Sequence, residues 1–224
     1  NWGQYKKLTP SDGVASGFFG YSASISGTDL LVGAYGDDNE GPFSGAGYIF
    51  SRDEGGADSW GQVAKQVPTH DGNGFDNYLF GSAISMTATY AAVGSYKVND
   101  ERGAVYLYKY IDEQWTLFKQ LTPGDVEYGD HFGHSVSIDD TGLIAGATKA
   151  NDSKGAAYVY IKDYGSSDSW SLRSKLTASD GASNDKFGHS VSISGSSAAV
   201  GASDTFYQTG SVYIYRDLGS WYGW

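Results

Sequence analysis

The chain has 224 residues, no cysteine and a formal net charge of −11. That charge argues against a nucleic-acid backbone or an anionic membrane surface as partner, because both require clustered Lys and Arg. The missing thiols exclude disulfides, thiol catalysis and thiolate metal sites, and no apolar run approaches the roughly 20 residues of a membrane-spanning helix.

In chain order, Trp2 to Thr9 comes first and carries a tryptophan and a lysine ahead of a Thr-Pro turn. Phe-Gly pairs follow at Phe19-Gly20, Phe80-Gly81, Phe132-Gly133 and Phe187-Gly188. Each opens a short alternating segment such as Ser135-Val136-Ser137-Ile138, the period-two pattern of a strand. A second glycine stands 13 residues beyond the first in all four copies, at Gly33, Gly94, Gly146 and Gly201. It ends a continuous apolar run that suits a strand covered on both faces. Gly-x-x-Tyr-x-aromatic follows, from Gly45 to Phe50, Gly103 to Tyr108, Gly155 to Tyr160 and Gly210 to Tyr215, placing two rings on one side of a third strand. A fourth strand runs from Trp60 to Lys65, Trp115 to Lys119 and Trp170 to Lys175, and the fourth copy breaks off at Trp221. Gly and Asp clusters separate the strands, and nothing between them reads as helix.

Four-stranded units repeating every 50 to 60 residues predict an all-β protein, a β-propeller of four four-stranded antiparallel blades in one domain. The repeats run over about 19–67, 80–121, 132–177 and 187–224 plus 1–9, the N-terminal strand closing the ring as the missing last strand. The rival is a longer array in which Trp221 opens another fourth strand. The pattern Phe-Gly, Val-Gly-Ala, Gly-Ala-x-Tyr-x-Tyr resembles the FG-GAP repeats of integrin-α-type propellers, and Lys-Leu-Thr-x-x-Asp-Gly a subgroup common in microbial surface proteins. The resemblance implies an extracellular or cell-surface protein in adhesion or ligand binding. The Asp-x-Asp-x-Asp-Gly calcium loop of integrin repeats is absent: the first-to-second-strand loops here are Ser26-Gly27-Thr28 or Asp139-Asp140-Thr141-Gly142. The start at Asn1 fits a mature product of signal cleavage and equally a trimmed segment.

In a blade, the loops joining strands two to three, and strand four to the next blade, emerge on one face. Most of the acidic residues fall in these loops. Two of them are longer than their counterparts by three residues: Tyr35 to Ser44, with Asp37, Asp38 and Phe43, and His70 to Tyr78, with Asp71, Phe75 and Asp76. They are the candidate ligand site, formed by Tyr35, Asp37, Asp38, Phe43, His70, Asp71, Phe75, Asp76 and Tyr78. Drift in tolerant loops is the alternative. An exposed ring beside carboxylates offers a sugar or a cationic side chain both stacking and hydrogen bonds. Close, unneutralised carboxylates call for a cation, and calcium, with 6–8 oxygen ligands, is the candidate at Asp37, Asp71 and Asp76. His134 and His189 follow Phe-Gly and are placed at the central channel. The recurring tyrosines and tryptophans read as inter-blade packing, and the fourth-strand lysines as protection of an outer edge.

No Gly-x-Ser-x-Gly, His-Glu-x-x-His or Gly-x-x-x-x-Gly-Lys motif is present, so the chain reads as no enzyme. The leading expectation is an extracellular binding or adhesion module, a lectin or protein binder. The alternatives are a self-associating protein of a surface layer or filament, and then a polysaccharide-acting enzyme.

Overall fold

The structure is a computed structural model that describes residues 1–68, 77–163, 169–205 and 209–219. Four antiparallel sheets follow one another along the chain as the blades of a β-propeller. Blade one comprises β1 (Ser22–Ser26), β2 (Asp29–Ala34), β3 (Ala46–Ser51) and β4 (Gly61–Gln66), and blade two β5 (Ala83–Met86), β6 (Tyr90–Ser95), β7 (Ala104–Ile111) and β8 (Gln114–Leu121). Blade three comprises β9 (Phe132–Ile138), β10 (Gly142–Ala147), β11 (Ala156–Lys162) and β12 (Trp170–Leu176), and blade four β13 (Phe187–Ser194), β14 (Ser197–Ala202) and β15 (Ser211–Arg216). Within each blade, strands pair in sequence order. A one-turn segment, α1 (Ala150–Ser153), departs from the expectation of no helix, and Asn151 and Asp152 within it adopt left-handed dihedrals.

Alternation sorts each strand's side chains onto two blade faces. Tyr158 and Tyr160 of β11 pack toward blade two, against Ala92, Val105 and Leu107. Ala157 and Val159 of the same strand pack toward blade four, with Phe187, Val191, Tyr213 and Tyr215. The core therefore lies between blades. Each buried phenylalanine meets the two tyrosines of its own third strand edge-on or tilted: Phe80 with Tyr106 and Tyr108, Phe132 with Tyr158 and Tyr160, Phe187 with Tyr213 and Tyr215. A register shift falls at the same place in the β3–β4, β7–β8 and β11–β12 ladders, and a bulge there increases the local twist that splays a blade.

The blades also join through backbone. Gly45, Gly103 and Gly155 each form a parallel bridge to the phenylalanine that opens the next blade, Phe80, Phe132 and Phe187. Serine hydroxyls near the centre reinforce the joints: Ser22 donates to the Gly81 carbonyl and Ser135 to that of Gly188, at 2.8 and 2.7 Å. Ser24, Ser85 and Ser137 accept from the amides of Met86, Ile138 and Ile193. A β-carbon on Gly146 would overlap the Gly188 carbonyl, and one on Gly94 that of Gly133. The second repeated glycine is thus what lets adjacent blades approach.

The expected closing strand is not formed. Residues 1–10 adopt no strand, and among the described residues the fourth sheet has three strands, the last being β15. The N-terminal segment lies instead along blade one, where Leu8 packs beside Val32, Tyr48 and Phe50 and the Tyr5 hydroxyl reaches the Asp58 carbonyl. Sequence matching identifies what kind of strand this segment resembles, not which sheet edge it occupies.

Candidate functional site

The two longer loops do adjoin. Asn77 donates to the Pro42 carbonyl, Leu79 to that of Phe43 and Phe80 to that of Ser44, at 2.7, 3.0 and 3.2 Å. Phe43, Asp38 and Glu40 are exposed there, whereas Tyr78 is buried and so does not supply the accessible ring foreseen for it. His70, Asp71, Phe75 and Asp76 lie outside the described residues.

Asp37 is 1% exposed and fully engaged. Lys65 lies 3.2 Å from its Oδ2, the Tyr48 hydroxyl donates to the same oxygen at 2.7 Å, and the Asn39 amide meets Oδ1. Lys65 also pairs with Asp12 at 2.6 Å, so one ammonium serves two carboxylates. Lys65 thus supplies the positive charge facing Asp37, while Asp71 and Asp76, the other carboxylates of the expected calcium site, lie outside the described residues. Among the described residues, no group of three or more His, Cys, Asp or Glu is arranged to hold a metal ion.

This cluster belongs to a repeated lock. In blade three, Lys175 pairs with Asp125 at 2.7 Å and lies over the Tyr158 ring; in blade four the Tyr213 hydroxyl donates to Asp180 at 2.8 Å. The Asp of Leu-Thr-x-x-Asp thus holds the third-strand tyrosine in blades one and four, and the fourth-strand lysine in blades one and three. Burial works against the Asp12 and Asp125 charges, but the lysine contacts outweigh it and hold both carboxyls below the usual range. Of the lysines expected to guard an outer edge, Lys65 is half-buried against Asp12 and Asp37, while Lys119 and Lys175 are exposed.

A different constellation stands on the same face nearer the axis. In all four repeats the residue before Phe-Gly is left-handed: Phe18, Leu79, His131 and Lys186 have φ of 53°, 55°, 60° and 56°. For non-glycine residues this costs about 1–2 kcal/mol, and such strain gathers at functional surfaces. Phe18 stacks on Tyr35 with ring centroids 4.8 Å apart and planes at 3°, and Tyr21 meets Tyr35 edge-on at 4.5 Å. Phe18 and Tyr21 are exposed. Tyr96 continues the row, 5.0 Å from His131 and 5.4 Å from His134, and His134 lies 5.3 Å from His189.

Two imidazoles of the row are held toward their neutral form. Burial, with His189 and His131 nearby, pushes His134 down to about 4. Burial also lowers His131, although Glu101, 2.9 Å away, works against this. Tyr96 is raised by burial and by Tyr21 and Tyr35. The buried His134 Nδ1 has no hydrogen-bond partner among the described residues. The surface is therefore a set of aromatic rings with hydroxyl and imidazole edges.

The FG-GAP repeat profile matches residues 2–50, 60–108, 115–160 and 170–215, four times over most of the chain. The chain belongs to the FG-GAP repeat family. Each match begins at a tryptophan, so the FG-GAP unit opens with the outer strand of one blade and runs through the first three strands of the next. No match was found among curated proteins. The FG-GAP propeller fold suggests a binding or adhesion-type module, and FG-GAP repeats are typical of extracellular proteins. Among the described residues no helix is long and apolar enough to cross a membrane.

Of the expected site residues that the structure describes, only Tyr35 joins this FG-GAP aromatic row. Phe18, Tyr21, Tyr96 and His131 were missed, although the sequence carries a signal for them. Repeats one and two have tyrosine two residues after the second glycine, where Thr148 and Ser203 stand in the others. His134 and His189 occupy one repeat position, the one after Phe-Gly.

Proposed function

We propose that this FG-GAP domain is a non-catalytic extracellular binding module whose ligand is a glycan, held on the row formed by Phe18, Tyr21, Tyr35, Tyr96, His134 and His189. The supporting observation is the exposed Phe18–Tyr35 stack with Tyr21 against its edge. Rings of this kind offer apolar faces to the C–H faces of a sugar, and tyrosine hydroxyls both donate to and accept from sugar hydroxyls. The acidic net charge suits an uncharged sugar better than an anionic one. A glycan array, followed by calorimetric titration of the best binder, tests the reading. Tyr21→Ala with Tyr35→Ala should abolish binding while leaving the melting temperature within a few degrees. Full binding by that double variant would refute the assignment.

A further inference from the structure

Two of the blade junctions put different residues at the same positions. Between blades two and three the protein fills the space with its own side chains. Tyr90 opens β6, and its ring meets Trp170 edge-on at 5.3 Å. Lys109, paired with Tyr90 across the ladder, holds its ammonium 5.7 Å from the centre of that ring. Lys162, paired with Trp170, holds a second ammonium 5.3 Å from it. Phe118, at the bulge of β8, lies 5.4 Å from the Lys109 ammonium. Ring and cations thus close this joint by cation–π contact, and Tyr90 is 1% exposed.

Between blades one and two the filling is absent. Asp29 opens β2 in the place of Tyr90, and Ser51 stands across the ladder in the place of Lys109. Tyr110, across from Trp115, replaces Lys162, and Val63 at the β4 bulge replaces Phe118. The tryptophan is kept. Trp115 is buried as Trp170 is, and Gln66 donates to its carbonyl at 3.1 Å as Lys119 does to that of Trp170 at 2.9 Å. What results is an open cavity of about 440 Å³ lined by Asp29, Glu54, Val63, Tyr110, Glu113 and Trp115, within the size range of small-ligand sites. Tyr110 lies against Trp115 with ring centroids 5.3 Å apart and is 42% exposed. Among the described residues no basic side chain lines the cavity. Arg52, in the same β3–β4 loop as Glu54, is taken up by Asp53 and Asp58, and Asp29, Glu54 and Glu113 have no ion-pair partner among the described residues.

We propose that this cavity binds a small organic cation, a primary ammonium carried on an aromatic body about the size of a tyrosine side chain. The ring of the ligand stands against Trp115 and Tyr110, as Tyr90 stands against Trp170, and its ammonium is shared among the carboxylates of Asp29, Glu54 and Glu113. The ligand supplies what the next junction holds in Tyr90, Lys109 and Lys162 and this one lacks. Ring faces and carboxylates both attract an ammonium. A metal ion does not fit, because among the described residues no group of His, Cys, Asp or Glu is arranged to hold one. The cavity opens among the β1–β2, β3–β4 and β7–β8 turns, on the face opposite the loops that carry the aromatic row. It is therefore a second site, independent of the glycan reading.

Calorimetric titration with phenethylamine tests this, with 2-phenylethanol and phenylacetate as neutral and anionic analogues. The wild-type chain should bind the amine saturably at a single site, and each analogue at least about tenfold more weakly, the loss expected when a partly desolvated ammonium is removed. Asp29→Asn with Glu113→Gln keeps the shape of both side chains and should weaken the amine by about tenfold. Asp29→Tyr with Ser51→Lys rebuilds the filling of the next junction and should abolish binding, with far-UV circular dichroism checking that the variant stays folded. Where that variant does not fold, the Asn and Gln variant decides alone. Tyr21→Ala with Tyr35→Ala should leave amine binding unchanged, which separates this site from the aromatic row. The proposal is overturned by a wild-type chain that shows no saturable binding of phenethylamine, or that binds 2-phenylethanol equally well. Undiminished binding by either cavity variant overturns it too, as does loss of amine binding on removing Tyr21 and Tyr35.

Discussion

The second repeated glycine provides an internal comparison, because one residue type at one repeat position meets two environments. At Gly146 a β-carbon collides with the Gly188 carbonyl of the next blade, and at Gly94 with that of Gly133. These obstacles are backbone, so relief requires opening the junction. At Gly201 the nearby group is the Ser190 hydroxyl, which turns away by a change of rotamer. Inserting a methyl into a packed site costs about 1–3 kcal/mol. With backbone as the obstacle, Gly146→Ala should lie at the top of that range, about 3 kcal/mol. For a chain of this size 1 kcal/mol corresponds to about 2–4 °C in Tm, which gives a fall of about 6–12 °C. Gly201→Ala should change Tm by less than about 2 °C. Calorimetric melting of both variants against wild type is the assay. Equal losses at the two sites would refute the claim that inter-blade approach, rather than some need within the strand itself, selects this glycine.

Phe132→Ala should cost about 3–5 kcal/mol, the range for deleting a fully buried ring, and urea titration should show it without a specific loss of ligand binding. His134, held at about 4 against ~6.5 when unfolded, binds fewer protons in the folded state between those values. Stability should therefore fall as pH drops from 6.5 toward 4, by roughly 2 kcal/mol after allowance for partial exposure. His134→Ser, the residue that repeat two carries there, should flatten that slope in urea titrations between pH 7 and 4. Asp12, Asp125 and Asp139 are held below the usual carboxylate range, so their contribution is present above about pH 4 and lost as pH falls through their folded values. Lys175→Met should raise the Asp125 pKa, which carboxyl NMR titration would detect.

The blades were legible because their determinants are local and repeated: alternation, a glycine at constant spacing and paired rings each restate one strand. The face carrying the loops was legible for the same reason, and hydrogen bonds from Asn77 and Leu79 to Pro42 and Phe43 join the two longer loops as expected. Charge was misjudged where it depended on distant partners. Asp37 reads as a free loop carboxylate until Lys65, 28 positions away, is seen against it. The row of rings was missed because its members come from four repeats and meet only after the blades fan around an axis. Phe18 and His131 owe their place to left-handed backbone that residue type does not announce.

The inter-blade location of the core has a consequence for how the domain comes apart. Each sheet buries its apolar side chains only against its neighbours, so stability divides into nearest-neighbour joints along a line, as in solenoid arrays. Blades two and three have a joint on each side, while blades one and four have one apiece. Amide exchange should therefore follow position in the chain more than strand type, with β14 and β15 releasing their protons long before β6 and β10. A denaturant too weak to unfold the middle pair would peel the array from its ends.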